Sequence, residues 1–343
     1  MTMQRALTKI IAGQHLDEDE MDAAMRTIMG GDATPAQIGA FLVALRMKGE
    51  TVAEIATAAR VMREFARHVQ VSHANLVDIV GTGGDGSHTF NISTTAAFVI
   101  AAAGGRVAKH NNRSVSSRSG SADVLEAAGA YINLTPDQVA RCINEVGIGF
   151  MFAPAHHGAT RHAAAPRREL GVRTLFNLLG PLTNPASVPN QVIGVFSDAW
   201  VEPVAEVMKK LGSRHVMVVH SADGLDEISL CAPTRVAELR DGNVQVHEIT
   251  PEQFGFTRAN QDDIKVQNAK DSLKILRAVL DDTPGPARDT VLLNAGAAIY
   301  VAGLAQDHAS GIDRAREALK GGGARAKLDQ LVALTRTFGV AAH

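Results

Sequence analysis

The chain is poor in the residues that build specialised scaffolds. Cysteine occurs only as Cys142 and Cys231. They are isolated and form no CxxC, so they read as buried thiols of a reducing compartment and not as a disulfide framework or zinc site. Aromatic residues make up 4%, with a single tryptophan, too few for a platform that stacks nucleic-acid bases. A formal charge of −2 leaves no overall field to recruit nucleic acid or an anionic membrane, and any basic function must be local. The amino terminus turns acidic at Asp17 before a long apolar core forms, so no signal peptide is expected. The longest apolar run, near Ala96 to Ala103, is too short to span a bilayer. A cytoplasmic protein acting on small molecules, with no nucleic-acid or membrane partner, is the expectation.

What the chain has is apolar mass: 45% of its 343 residues are hydrophobic, and glycine is plentiful at 31. That length exceeds one average domain, so two domains are expected, with one discontinuous domain as the main alternative. Residues 1–72 read as helices. Met21, Ala24, Met25 and Ile28 recur at i, i+3, i+4, i+7; so do Ile38, Phe41, Leu42 and Leu45, and again Ile55, Ala58, Ala59 and Met62. Thr34 before Pro35 is a helix start, Thr51 with Glu54 has capping-box spacing, and Gly30-Gly31 and Gly49 are stops.

From Val77 the pattern alternates strand and helix, the mark of a mostly parallel sheet with crossover helices. Strands are expected at Val77 to Val80, Arg106 to Lys109, Ile148 to Phe152, Val192 to Phe196 and Val216 to Val219, followed by a hairpin turning at Asp241-Gly242. Residues 154–189 interrupt the alternation with a proline-bounded helical insertion. The expected class is therefore α/β: a small helical domain at 1–72, joined by the inserted segment near 167–188, and a larger α/β domain over 75–343.

Two polar loops hold the chemistry. The first, Gly81-Thr82-Gly83-Gly84-Asp85-Gly86, formally matches GxGxxG. Polar residues separate it from the next helix, and no acidic residue ends the following strand, which count against a dinucleotide; no lysine follows, which counts against a Walker loop. Asn91-Ile92-Ser93-Thr94 then opens a helix whose outward N–H groups suit a phosphate, with a plain helix cap as the competing and compatible reading. The second loop, Lys109 to Ser121, combines Lys109, Arg113 and Arg118 with asparagines and serines, and suits a multiply charged anion. Asp226-Glu227 follows a strand, at the edge where ligands of parallel sheets collect, and an acidic pair beside phosphates reads as a magnesium site. Arg167, Arg168 and Arg173 could clamp a carboxylate. His156, His157 and His162 match no zinc spacing.

Taken together, the helical amino-terminal region, DIVGTGGDG, NIST, KHNNRSVSSRSGSADVLE, FAP with RRELGVRTLFNLLGPLTNP, and the Asp226-Glu227 pair resemble the anthranilate phosphoribosyltransferase family over nearly the whole chain. The resemblance implies that phosphoribosyl pyrophosphate is held by Gly81, Gly84, Asp85 and Thr89, by the turn Asn91, Ile92, Ser93 and Thr94, by the loop Lys109, His110, Asn111, Asn112, Arg113, Ser114, Val115, Ser116 and Ser117, and by Ser121. It implies that Asp226 and Glu227, with Ser93, position Mg2+, and that Gly81, Asn112 and Arg167 meet anthranilate. It also implies a homodimer built through the helical domain. No side chain is assigned as acid, base or nucleophile. Where the family commonly has glycine this chain has Asn111, an exchange that left-handed backbone would tolerate. Gly158-Ala159-Thr160 also departs from the family pattern, beside the acceptor's approach. Competing readings are a pyrimidine nucleoside phosphorylase of the same plan and a non-catalytic nucleotide- or nucleic-acid-binding relative.

Overall fold

The computed structural model describes residues 2–114 and 118–340. Four helices come first, α1 (Met3–Ile11), α2 (Glu18–Gly30), α3 (Pro35–Lys48) and α4 (Val52–Glu64). Their ends are written locally. Thr34 and Thr51 accept the N–H of Gln37 and Glu54 in reciprocal capping boxes, and Gly31 closes α2 in the left-handed conformation. Asp17, not singled out from sequence, caps α2 in the same way.

The remainder runs β1 (Leu76–Gly81), α5 (Ile92–Ala102), β2 (Arg106–Asn111), α6 (Ser121–Ala128), α7 (Pro136–Val146), β3 (Ile148–Phe152), α8 (Ala153–His156), α9 (Arg161–Leu170), α10 (Leu175–Leu182), β4 (Asn190–Gly194), α11 (Val201–Lys210), β5 (His215–Ser221), β6 (Thr234–Arg240), β7 (Asn243–Ile249), α12 (Ala269–Leu280), α13 (Pro286–Val301), α14 (His308–Lys320) and α15 (Gly323–Val340). The strands form one sheet in the order β3-β2-β1-β4-β5-β6-β7. Strands β1 to β5 are parallel, and β6 and β7 add an antiparallel hairpin at one edge. The mostly parallel α/β class is as expected.

Successive strand residues point to opposite faces, and here they serve two cores. Ile79, Val192, Met217 and Val219 join the face covered by α5, α7, α13 and α15. Val80, Ile193, Val216 and Val218 join the other, which continues through α10 and α11 into the four amino-terminal helices. The inserted helices pack there: α9 lies against α2 and α3, and α10 against α3 and α4.

Some local expectations shift. Strand β4 occupies Asn190–Gly194, two residues earlier than its apolar run suggests. Val195 still bonds Val219, but the N–H of Phe196 turns to Thr82 Oγ1 at 3.0 Å, leaving the ladder for the glycine loop. Cys142 is buried, whereas Cys231 is half-buried. Asn111 ends β2 and is absent from the non-glycine residues of positive φ, so extended backbone, and not the left-handed region, accommodates an asparagine there. Among the described residues no helix is long and apolar enough to cross a membrane.

Candidate active site

All three sequence-predicted elements meet beyond the carboxyl ends of β1, β2 and β5. The glycine loop leaves β1 through Gly83, Gly84 and Gly86, each with φ between 68° and 75°, which only glycine adopts without strain. Gly81 has an ordinary φ but a different constraint: a Cβ there would collide with Asp226 Oδ2. Gly194, at the end of β4, is likewise pressed against the backbone of Asp226. The acidic pair thus sits directly on the two strand ends, and the N–H of Gly83 donates to Asp226 Oδ2 at 2.7 Å.

The second loop faces the first through the start of α5. Asn91 stands at the N-cap position of α5 but makes no side-chain cap. Its amide instead donates to the Ser119 carbonyl at 3.2 Å and accepts from Ser119 Oγ at 2.9 Å and Ser272 Oγ at 2.6 Å. Thr94 Oγ1 donates to Ser121 Oγ at 2.8 Å. The α5 amino terminus is therefore bound to the far end of the basic loop. The Asn91 N–H donates to Ser272 Oγ at 3.0 Å and the Ile92 N–H to the Phe90 carbonyl at 2.8 Å, while the Ser93 N–H donates to the Glu227 carboxylate and ties the helix start to the acidic pair.

The cations of that loop divide. Lys109 is buried, its Nζ donating to the Ile79 carbonyl at 2.6 Å and Ser93 Oγ at 3.2 Å. Burial pulls its pKa down, opposed by the charges of Asp78 and Glu227. Arg113 points outward and pairs with Asp123 and Glu126 of α6, while the Ser114 N–H donates to Oδ2 of the same Asp123 at 3.1 Å. Asn111 and Asn112 each accept the next residue's N–H at 2.7 Å, shaping the loop. Thr89 pairs with Lys265 in an isolated antiparallel bridge. Val115, Ser116 and Ser117 lie outside the described residues.

Asp226 is buried and Glu227 half-buried, and both have raised pKa values. For Asp226 burial is the main cause, followed by the charge of Asp85; for Glu227 it is burial, then Asp226. Three carboxylates thus share a site with one buried ammonium, an arrangement with negative charge to spare. The described residues contain no set of three or more His, Cys, Asp or Glu that could hold a metal ion by themselves. Magnesium does not need one, because one or two carboxylates plus substrate oxygens complete its shell. The donor set therefore fits magnesium.

Arg167 of α9, expected from the resemblance to meet the acceptor, lies over the Phe176 ring at 4.9 Å, with its pKa lowered by burial. Among the described residues no carboxylate pairs with it. Arg168 is exposed, and Arg173 is used elsewhere, stacking on Phe196 at 4.2 Å and donating to the Gly84 carbonyl. The three guanidiniums do not form one clamp. His110 at the end of β2 packs against His157, ring centroids 4.9 Å apart. Burial lowers both pKa values, that of His157 to about 4, which favours the neutral rings. Sequence spacing gave no reason to join these histidines.

Comparison with known proteins settles the family. Residues 73–325 match the glycosyl transferase family a/b domain, and residues 4–66 match the helical bundle domain of that family. Anthranilate phosphoribosyltransferase of Thioalkalivibrio sulfidiphilus is 64% identical over 98% of this chain and 99% of its own. The chain belongs to the anthranilate phosphoribosyltransferase family. Within the family, the crystal structure of the Thermus thermophilus protein superposes with a TM-score of 0.92 at 45% identity, covering 96% of this chain and 99% of that one. The Saccharomyces cerevisiae family member, solved in complex with PRPP and Mg, superposes at 0.89 with 26% identity over 98% of each chain.

Proposed function

We propose that this protein transfers the phosphoribosyl group of phosphoribosyl pyrophosphate to the amine of anthranilate, giving N-(5-phosphoribosyl)anthranilate and pyrophosphate in tryptophan biosynthesis, with Mg2+ as cofactor. The observation that carries this reading is the meeting of the glycine loop, the α5 amino terminus and the Asp226-Glu227 pair on adjacent strand ends.

In this reading the donor lies between the two loops. Gly81, Gly84, Asp85 and Thr89 line one wall; the turn Asn91, Ile92, Ser93 and Thr94 offers the hydroxyl groups of Ser93 and Thr94; Lys109 to Asn112, Ser114 and Ser121 form the other wall. Asp226, Glu227 and Ser93 would hold the metal. Gly81 and Asn112 border the acceptor, and Arg167 binds its carboxylate by charge-assisted hydrogen bonds.

The reaction forms a bond from nitrogen to the anomeric carbon as the bond from that carbon to pyrophosphate breaks, with inversion and an oxocarbenium-like transition state. Negative charge grows on the departing pyrophosphate, and fixed N–H groups and cations around it stabilise that charge most where it is greatest. Magnesium, when bound, adds Lewis-acid stabilisation of the same oxygens. Arg167 and the loop walls hold the amine in line, which supplies much of the remaining acceleration. An aryl amine attacks as the neutral species, so no side chain need act as base on the way to the transition state.

The division into a helical domain, residues 1–72 with the segment near 167–188, and an α/β domain, residues 75–343, belongs to this proposal, as do a cytoplasmic location and a homodimer through the helical domain. Exposed Ile11 of α1 and Met47 of α3 support such a contact. Mass-spectrometric detection of N-(5-phosphoribosyl)anthranilate tests the function. Phosphorolysis of thymidine without that product would favour a nucleoside phosphorylase instead.

A further inference from the structure

Helix α13 is apolar almost all round, and Val291 to Ala298 are buried without exception. One of them, Asn294, is polar and fully buried. A buried amide is costly unless each of its groups is bonded. Asn294 meets that condition by bonding both backbone groups of one residue of the acidic loop, Ile228, in two successive peptide units. Its Oδ1 accepts the Ile228 N–H at 2.9 Å, and its Nδ2 donates to the Ile228 carbonyl at 2.8 Å. The second Nδ2 hydrogen goes to the Thr290 carbonyl at 2.9 Å, one turn back on its own helix.

Ile228 directly follows Glu227. At the opposite edge of the same Glu227-Ile228 peptide, the buried Ser221 Oγ donates to the Glu227 carbonyl at 2.8 Å and takes part in a bond with Thr234 Oγ1 at 2.7 Å. The acidic turn is therefore gripped from two directions, by the end of β5 and by a helix 66 residues away. Gly81 and Gly194 press on Asp226 from a third. A core that needed only volume at position 294 would be served as well by leucine, with no amide to satisfy.

We infer that Asn294 is a positioning residue for the metal-binding pair, holding the Glu227-Ile228 backbone so that the two carboxylates present their oxygens at the spacing a small divalent cation demands. Magnesium tolerates little departure from octahedral geometry at short bond lengths, and groups that orient a metal's ligands commonly matter almost as much as the ligands. The inference rests on the reading of Asp226-Glu227 as the metal site.

The test compares Asn294→Leu, Asn294→Ser, Glu227→Gln and Thr290→Val with the parent enzyme. Binding of Mn2+ in the presence of phosphoribosyl pyrophosphate is measured by calorimetry, and melting temperature and magnesium-dependent turnover are recorded alongside. Either Asn294 variant is expected to weaken Mn2+ binding about 10- to 100-fold and to raise the half-saturating magnesium concentration in step. Turnover at saturating magnesium is expected to stay near that of the parent. Thr290→Val, which perturbs the same helix without touching the loop, is expected to lower the melting temperature and leave metal binding unchanged. A lowered melting temperature with unchanged metal binding in the folded Asn294 variants overturns the inference, as does equal weakening in Thr290→Val. If Glu227→Gln also binds Mn2+ normally, the acidic-pair reading has failed and the inference falls with it. If Glu227→Gln weakens binding and the Asn294 variants do not, the inference alone falls.

Discussion

The Asp226 carboxylate accepts the backbone N–H of Gly83 at 2.7 Å, across 143 residues of sequence. That bond fastens the acidic loop to the glycine loop, so the two halves of the proposed site form one unit.

Gly81→Ala puts a methyl group against Asp226 Oδ2. The expected outcome is a displaced carboxylate, a raised magnesium requirement and a stability loss of about 1–3 kcal/mol from overpacking. Gly194→Ala meets backbone, which cannot rotate away, and is expected to cost more. Thermal melts and magnesium titrations of the two variants check both statements, and equal stability of Gly194→Ala and the parent would contradict the close approach.

Arg167→Ala removes a half-buried guanidinium that has no carboxylate partner among the described residues. The expected effect is a KM for anthranilate raised by the equivalent of about 1.5–3 kcal/mol, with the KM for phosphoribosyl pyrophosphate little changed. Steady-state kinetics with each substrate varied in turn decide it; the reverse pattern would move Arg167 to the donor side.

Lys109 is a buried cation between Asp78 and Glu227, and Asp78 is itself fully buried, with Asn184 donating to it at 2.8 Å. Lys109→Met leaves buried carboxylates uncompensated and is expected to cost about 3–5 kcal/mol. Adding Asp78→Asn should return part of that loss. Urea unfolding of the single and double variants measures the coupling, and strict additivity would show that the charges do not interact.

His308 is buried against Phe254, its Nε2 bonded to the Leu293 carbonyl at 2.8 Å, and burial lowers its pKa from 6.5 to about 4. The unfolded chain then binds a proton that the folded one refuses, so stability is present above pH 6.5 and is lost as pH falls toward 4. The share from His308 is about 2 kcal/mol between neutral pH and pH 5. His308→Gln keeps a donor for Leu293 and should flatten the fall in melting temperature over that range; an unchanged slope would contradict the assignment.

Features set by neighbours in sequence were the readable ones. Thr34, Thr51 and Thr135 cap the helices they precede, because a capping box needs only a residue three positions on. The alternation from Val77 gave the parallel sheet, since period two and period 3.6 are local signals. Features set by distant partners were not readable. Asn91 has the position of a cap, yet its side chain goes to Ser119 and Ser272. Arg113 looks like a phosphate ligand by composition and is paired with α6 instead. Asn294 gave no signal at all, since its partner at Ile228 becomes a neighbour only through the packing of α13 behind the sheet.

The most direct measurement follows anthranilate fluorescence during turnover with phosphoribosyl pyrophosphate, across magnesium concentrations, for the parent enzyme and for Asp226→Ala with Glu227→Ala. The parent should consume anthranilate only when both the donor and magnesium are present. The double variant should lose most of that turnover, or recover it only at much higher magnesium. Unchanged turnover and unchanged magnesium dependence in the double variant would contradict the account.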